Sequence, residues 1–304
     1  MYCNPISGFV LFATRFTDRW IVVGFNGNIG LSQSGQTDWA SFGLAGNNLR
    51  AVTYGAPGFV AVGDAGRIVF SKTGLNGDWA NQTSGSAINL LDVTYGNGLY
   101  VAVGGIPAVS SIILTSPDGI SWTDRSIGLS NQLDRVIFAN NQFYSVGMGG
   151  VRASSADGIS WGNDSAGPNP WTSVVFGNGI FLIADDASSI HTSATFAGFP
   201  NATGSVSAAA VYASVFIPER SIFVLVGDTG QTYTTTNGVG AANPGDIASG
   251  VPSDIDTDGY TTSLVSQAGY IEYSTDAMNF NPYVLGSADW YGIVHAKVPV
   301  ELDP

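Results

Sequence analysis

Residues 90–122 form the sequence LLDVTYGNGLYVAVGGIPAVSSIILTSPDGISW, in which three short apolar runs are separated by turn signals. The runs are rich in β-branched and aromatic residues, which favour strands. The Asn97-Gly98 pair between the first two runs is typical of a tight hairpin, because both central residues of a type I′ turn need a positive φ. A polar turn follows the third run and ends on Trp122. The stretch therefore predicts a small antiparallel sheet.

The same pattern recurs along the chain with a period of about 40 residues, which is typical of a propeller blade of four strands. Seven copies predict a single all-β domain, a seven-bladed β-propeller with antiparallel four-stranded blades. Because the last copy is degenerate, six and eight blades remain alternatives. The copies of the second run are WIVVG at 20–24, FVAVG at 59–63, YVAVG at 100–104, FYSVG at 143–147, FLIAD at 181–185, FVLVG at 223–227 and TSLVS at 262–266.

The repeat also predicts the boundaries of the domain. Residues 1–8 are expected to be a lead-in, residues 9–297 the propeller, and residues 298–304 a tail. Residues 290–296 (WYGIVHA) match the strand that opens the fifth copy, WTSVVFG at 171–177. Since a ring must pair its free sheet edges, this C-terminal copy is expected to dock into the first blade and close the ring.

The composition excludes several classes of partner. The net charge is −13 with ten basic residues, so the chain lacks the lysine and arginine clusters that bind nucleic acid or anionic membranes. No apolar run approaches the ~18–20 residues of a membrane span. Cys3 is the single cysteine, which leaves no intrachain disulfide and no cysteine-based zinc site.

The polar turns carry a resemblance to known families. SPDGISW at 116–122 and SADGISW at 155–161 resemble a shortened form of the Asp-box turn of sialidase-type propellers. Together with the VTYGNGLYVAVG hairpin, they resemble the repeats of secreted bacterial and bacteriophage-encoded β-propellers. The resemblance implies an extracellular protein or a virion protein of a phage tail or capsid, present in several copies on a larger assembly. The implied partners are other virion or surface proteins, or a glycan.

Two functional classes are compatible with these repeats. One is a non-enzymatic binding or structural module that attaches to a protein or a glycan; the other is a glycan-cleaving hydrolase. Sialidase chemistry needs an arginine cluster, and here the arginines share no slot from blade to blade. Arg50 and Arg135 fall one position apart, which in a regular strand places them on opposite faces. The sequence therefore predicts a binding module without enzymatic activity.

The candidate binding residues come from the loops that vary between copies. The hairpins and the Ser-to-Trp turns are expected at one end of the ring, and the variable connectors at the other, where recognition usually resides. Trp171 and Trp290 start strands near the central channel and are further candidates, although packing between blades is the alternative for both. The predicted contact residues in the variable loops are Asp64, Asp185, Asp186 and Asp228.

One motif indicates a metal ion. Asp254, Asp256 and Asp258 alternate in the sequence DIDTDG, and alternating carboxylates followed by glycine are typical of calcium loops. The alternative is an ordinary hairpin turn, because Asp258-Gly259 occupies the slot of Asn97-Gly98. Apart from this possible Ca²⁺ site, the sequence predicts no cofactor.

Overall fold

The structure is a computed structural model that describes residues 15–165, 167–196, 202–206, 210–228, 230–239, 242–246, 251–277 and 279–300. The lead-in predicted at residues 1–8 and the last four residues of the predicted tail lie outside the described residues. Over the described residues, the strands form seven antiparallel sheets of four strands each. The seven-bladed β-propeller predicted from the repeat is thereby confirmed, and six and eight blades are excluded.

Each blade contains four strands that are consecutive in the chain, except in blade 1, where the innermost strand comes from the C-terminus. The first three blades comprise β28 (Trp290–Val300), β1 (Arg15–Gly24), β2 (Asn28–Ser32) and β3 (Ala40–Gly43); β4 (Leu49–Gly55), β5 (Gly58–Gly63), β6 (Ile68–Ser71) and β7 (Ala80–Gln82); and β8 (Leu90–Gly96), β9 (Leu99–Ile106), β10 (Ser110–Ser116) and β11 (Thr123–Asp124). Blades 4 and 5 comprise β12 (Leu133–Ala139), β13 (Gln142–Gly147), β14 (Arg152–Ser155) and β15 (Gly162–Asn163); and β16 (Trp171–Gly177), β17 (Ile180–Asp185), β18 (Ser189–Ser193) and β19 (Gly204–Ser205). Blades 6 and 7 comprise β20 (Val211–Ile217), β21 (Ile222–Gly227), β22 (Gln231–Thr235) and β23 (Ala242–Asp246); and β24 (Pro252–Thr257), β25 (Thr262–Ser266), β26 (Tyr270–Ser274) and β27 (Asn281–Val284).

The ring closes as the sequence predicts. Strand β28 pairs antiparallel with β1 from Arg15 opposite Val300 to Gly24 opposite Trp290. It also contacts the innermost strands of both neighbouring blades, β24 and β4, so the seven innermost strands surround the central channel without a gap. Residues 298–300 were predicted to be tail and instead belong to β28, because the ladder with β1 continues to its first residues.

The hydrophobic core lies between the blades. Trp79 of blade 2 packs in one cluster with Phe59 of its own blade and with Ile21 and Ile29 of blade 1. Trp39 packs likewise against Leu285 at the end of blade 7. The recurring tryptophans therefore hold neighbouring blades together, which is the packing role that their repeated slot indicates.

The two ends of the ring differ in their turns. Asn97 and Gly98 have φ values of 52° and 76°, as the predicted type I′ hairpin requires. In the polar turn, the Ser116 hydroxyl accepts a hydrogen bond from the Gly119 amide at 2.8 Å, and Trp122 Nε1 donates to the Gly119 carbonyl at 3.2 Å. Antiparallel pairing places these two turn types at one end, called here the hairpin-turn end. The opposite end, called the connector end, carries the loops between second and third strands and the connectors between blades.

Loops between the second and third strands are more regular than the sequence indicates. Four of them form a single 3-10 turn whose middle residue has a left-handed φ between 54° and 64°. A glycine precedes three of these turns and approaches the backbone closely: a Cβ on Gly63 would lie 1.9 Å from the Asn48 carbonyl oxygen. The four turns are Phe25–Gly27, Asp64–Gly66, Met148–Gly150 and Gln267–Gly269, and a fifth 3-10 turn, Pro218–Arg220, lies in the blade 6 hairpin.

Within the described residues, no helix is long and apolar enough to cross a membrane.

Candidate functional site

Every innermost strand carries a β-bulge at its second residue. In blade 2, Leu49 pairs with Gly63 and Ala51 pairs with Val62, so Arg50 has no partner in the ladder. The corresponding residue is likewise unpaired in the ladders of the other six blades. A bulge re-aims the side chain of its extra residue. The seven bulge residues are Arg50, Leu91, Asp134, Thr172, Tyr212, Ser253 and Tyr291.

These seven side chains line one cavity of about 460 Å³ over the channel at the connector end, which we call the mouth cavity. Gln132, Arg135 and Gln267 also line it. Its walls mix apolar, phenolic, amide, hydroxyl and charged groups, which come from all seven blades. A repeated fold thus presents a non-repeated surface at this one place.

The loops of the connector end, at which the mouth cavity lies, are fixed by contacts between blades. In blade 2, the backbone N–H of Ala65 donates to Asn89 Oδ1 of the connector to blade 3 at 2.9 Å. The same contact recurs at three other junctions. Its partners are Asn26 with Asn48, Ala108 with Asn131, and Ala268 with Asp289, at 2.8–3.0 Å.

One arginine that lines the mouth cavity already has a carboxylate partner. Arg50 donates from Nε and Nη2 to the two carboxylate oxygens of Asp64, both at 2.8 Å. Its guanidinium also lies 4.6 Å from the centre of the Tyr291 ring. The carboxylate partner raises the pKa of Arg50. Asp64, predicted from the sequence as a contact residue, therefore lies beside the mouth cavity, and its charge is shared with Arg50.

A second arginine spans the channel below the rim. Arg135 Nη2 donates to the Tyr212 carbonyl at 2.9 Å and to the Ser253 carbonyl at 3.2 Å, which links blade 4 to blades 6 and 7. Arg50 and Arg135 were predicted on opposite faces. They line the same cavity instead, because the bulge interrupts the regular alternation of side chains.

Three aspartates join neighbouring innermost strands around the channel. Asp92 Oδ2 accepts a hydrogen bond from the Val136 amide at 2.8 Å. Asp254 and Asp256 accept hydrogen bonds from the Ile293 and His295 amides of β28 at 3.0 and 2.6 Å. Each carboxylate thus fastens one blade to the next through a backbone donor.

The channel environment raises the pKa of these acids. Burial raises the pKa of Asp92 to about 7, against the opposing charge of Arg135. Burial also raises the pKa of Asp256 to about 7 and of Asp134 to about 6, and it raises the pKa of Asp254. These four groups are more easily protonated in the folded ring than in the unfolded chain.

We expect Asp92→Asn to flatten the dependence of stability on pH. The folded pKa of Asp92 exceeds its unfolded value of 3.8, so the contribution of this group is complete below about pH 4 and is lost as the pH rises through about 7. The amide oxygen of asparagine can still accept the Val136 hydrogen bond but does not ionise. Melting temperatures measured from pH 4.5 to 8 should therefore fall less steeply in the variant than in the wild type.

The exposed residue Asp186 provides the control for this experiment, since Asp186→Asn removes a carboxylate at the same end of the ring. Its profile should follow the wild type. Parallel slopes for the wild type and Asp92→Asn would show that Asp92 does not titrate differently on folding.

Of the other predicted contact residues, Asp185 has a structural role. It is 1% exposed, and its Oδ1 accepts hydrogen bonds from the Ala187 and Ser189 amides at 3.0 and 2.8 Å. His191 Nε2 lies 3.4 Å from its other oxygen. Asp185 thus shapes the loop after β17 from within, which corrects the prediction that it contacts a partner. Asp186 is exposed and Asp228 is half-buried at the connector end, and neither lines the mouth cavity.

The prediction that Trp171 and Trp290 contact a partner is also corrected, because both side chains are buried. They are 5% and 1% exposed and belong to the clusters that pack blade against blade. Each is the first residue of its strand, so the next residue and not the tryptophan faces the cavity. Their indoles have almost no surface for a partner.

The three predicted calcium ligands do not converge. Asp254 and Asp256 bond the amides of β28, while Asp258 Oδ1 accepts hydrogen bonds from the Tyr260 and Thr261 amides. The described residues hold no group of three His, Cys, Asp or Glu side chains suited to a metal ion. The alternative prediction, a hairpin turn like that at Asn97-Gly98, also needs correction. Residues 258–261 form a four-residue hairpin loop, whereas the turn of blade 3 has two residues.

Similar folds occur among solved structures, whereas no family model and no curated protein matches the chain. The WD40 β-propeller domain of Doa1 is similar with a TM-score of 0.65 at 12% identity, over 89% of this chain and 93% of that one. YCF48 bound to D1 peptide is similar with a TM-score of 0.59 at 13% identity, over 97% of this chain and 98% of that one. A chain of the nidogen/laminin complex is similar with a TM-score of 0.59 at 9% identity, over 93% of this chain and 100% of that one. At such identities the likeness concerns the fold alone, and in fold the chain is a seven-bladed β-propeller.

Proposed function

We propose that this chain is a non-enzymatic binding module that holds a segment of a protein partner or surface glycan in the mouth cavity. The observation that carries the proposal is the convergence of seven different bulge residues on one cavity of about 460 Å³. This volume lies in the range of known ligand sites, about 300–1,000 Å³. The connector end around the cavity is held by contacts between blades, so a ligand would meet a preorganised surface.

The acids of the channel support binding over glycan cleavage. Carboxyl groups with a raised pKa are typical of enzymes, but Asp92, Asp254 and Asp256 already accept hydrogen bonds from neighbouring strands. Among the described residues, Asp134 is the one carboxyl group that lines the mouth cavity. Hydrolysis by the usual route needs two carboxyl groups flanking the scissile bond.

The proposal includes a location outside a cell or on a bacteriophage tail or capsid, with several copies on a larger assembly. Support for this location comes from the SPDGISW and SADGISW turns, which resemble the repeats of secreted bacterial and bacteriophage-encoded β-propellers. Protein partners are supported by analogy, since YCF48 with D1 peptide and nidogen with laminin are propeller complexes of similar fold.

We expect Ser253→Trp to weaken attachment strongly, because its indole would fill the mouth cavity from the bulge of β24 while the ladder partners of that strand stay in place. Labelled protein would be applied to an array of bacterial and animal surface glycans, and the released sugars measured. Wild-type protein should bind without releasing sugar, and Ser253→Trp should bind at least tenfold more weakly.

Thr83→Trp is the matched control, since Thr83 is exposed in a different depression of the connector end. This variant should bind like the wild type. Equal binding by both variants would move the site away from the mouth cavity, and release of sugar by the wild type would establish an enzyme.

A further inference from the structure

Blade 1 differs from the others at the hairpin-turn end. The ladder between β1 and β28 spans ten residues of β1, whereas β5 of blade 2 has six. No hairpin joins β1 to β28, so the two strands continue past the level at which the other blades turn. The continuing part, residues 15–19 with 296–300, stands beside the turns of blade 2.

A second cavity, of about 410 Å³, lies between this ladder and blade 2. Its apolar walls include Leu75, Val298 and Pro299, and the ring of Tyr54 adds to them. Arg19 and Lys72 line the same cavity, whereas none of the described residues that line it is acidic. It lies at the opposite end of the ring from the mouth cavity, so the two sites are independent.

Among the described residues, Arg19 has no partner of the kind that a guanidinium usually has. Its Nε is buried without a hydrogen bond, and none of the described carboxylates lies within ion-pair distance of its guanidinium. Burial alone lowers the pKa of Arg19, whereas Arg50 of the mouth cavity is held by Asp64. A partly buried guanidinium without a partner among the described residues is costly, and it is unexpected in a chain with 23 acidic and 10 basic residues.

We propose that this cavity binds an acidic side chain of a partner peptide, with an adjacent apolar side chain against the Leu75 and Val298 wall. The planar fork of an arginine matches a carboxylate in two parallel hydrogen bonds. The apolar wall disfavours a strongly hydrated free anion. The site depends on the long closing ladder of blade 1.

The test uses two blocked peptides, acetyl-Leu-Glu-Leu-amide and acetyl-Leu-Gln-Leu-amide, titrated by calorimetry into the full-length chain. The glutamate peptide should bind at least tenfold more tightly than the glutamine peptide. Arg19→Gln should remove this preference, and Arg220→Gln, an exposed arginine in the blade 6 hairpin at the same end, should keep it. Circular dichroism melts would confirm that both variants are folded.

The chain has acids of its own near this ladder in sequence, Glu301 and Asp303, so the titration is repeated with both changed to their amides. Unchanged or tighter binding in that double variant supports the site, tighter binding showing that the chain's own acids compete for it. Absence of binding to both versions of the chain overturns the proposal. So does equal affinity for the two peptides, or a preference for glutamate that survives Arg19→Gln.

Discussion

Deleting residues 287–304 is expected to lower the melting temperature by more than about 10 °C or to make the protein insoluble. The deletion removes β28, which pairs with β1 along ten residues, and with it Trp290 and Ile293 from the core. It also removes the backbone amides that Asp254 and Asp256 bond. The long edge of β1 would then be free to pair with another chain.

The matched control is the deletion of residues 301–304 alone, which leaves the β28 ladder intact. Calorimetric melts and light scattering of both truncated proteins would be compared with the full-length chain. A melting temperature equal to that of the full-length protein after the longer deletion would show that β28 does not hold the ring together.

The fold is largely predictable from the sequence because its stabilising features repeat. Each copy carries an apolar second strand, a hairpin signal and a polar turn, and seven copies give seven blades. The closing strand is predictable too, since residues 290–296 match the start of other blades. The blade 7 loop at residues 258–261 is not, because one Asp-Gly pair can belong to turns of different length.

The site is less predictable, because the bulge overrides the alternation of a regular strand. Without the bulge, Arg50 and Arg135 are assigned to opposite faces, and Trp171 appears nearer to the channel than its neighbour Thr172. One signal was available: the first residue of each first strand is apolar in every blade, whereas the second residue is polar in six of the seven and varies in type. Within a repeat, such a position marks a surface under a requirement other than packing.

Asp185 is a second residue whose role could not be predicted from the sequence, and it lies in a loop. From the sequence, an acid in a variable loop at the end of a strand is a candidate for contact with a partner. Its hydrogen bonds to the Ala187 and Ser189 amides are visible only when the chain is folded. Loop acids can serve the turn in which they lie, and sequence alone does not separate the two roles.

Arg135→Ala is expected to cost about 2–3 kcal/mol of unfolding free energy at pH 8 and clearly less at pH 5. The substitution leaves the Tyr212 and Ser253 carbonyls without their donor. It also removes the positive charge that holds down the pKa of Asp92 and Asp254, so both pKa values should rise further.

The direction of the pH effect follows from proton binding. At pH 5, Asp92 is protonated in both folded proteins, so the missing positive charge matters little to it. At pH 8, the wild type ionises Asp92 beside Arg135, whereas the variant must keep the proton or bury an unbalanced charge, and its stability falls as the pH rises. Urea unfolding at the two pH values measures the difference, with the exposed Arg220→Ala as the control. A loss of the same size at pH 5 and pH 8 would show that Arg135 acts through its hydrogen bonds to the two carbonyls and not through the channel acids.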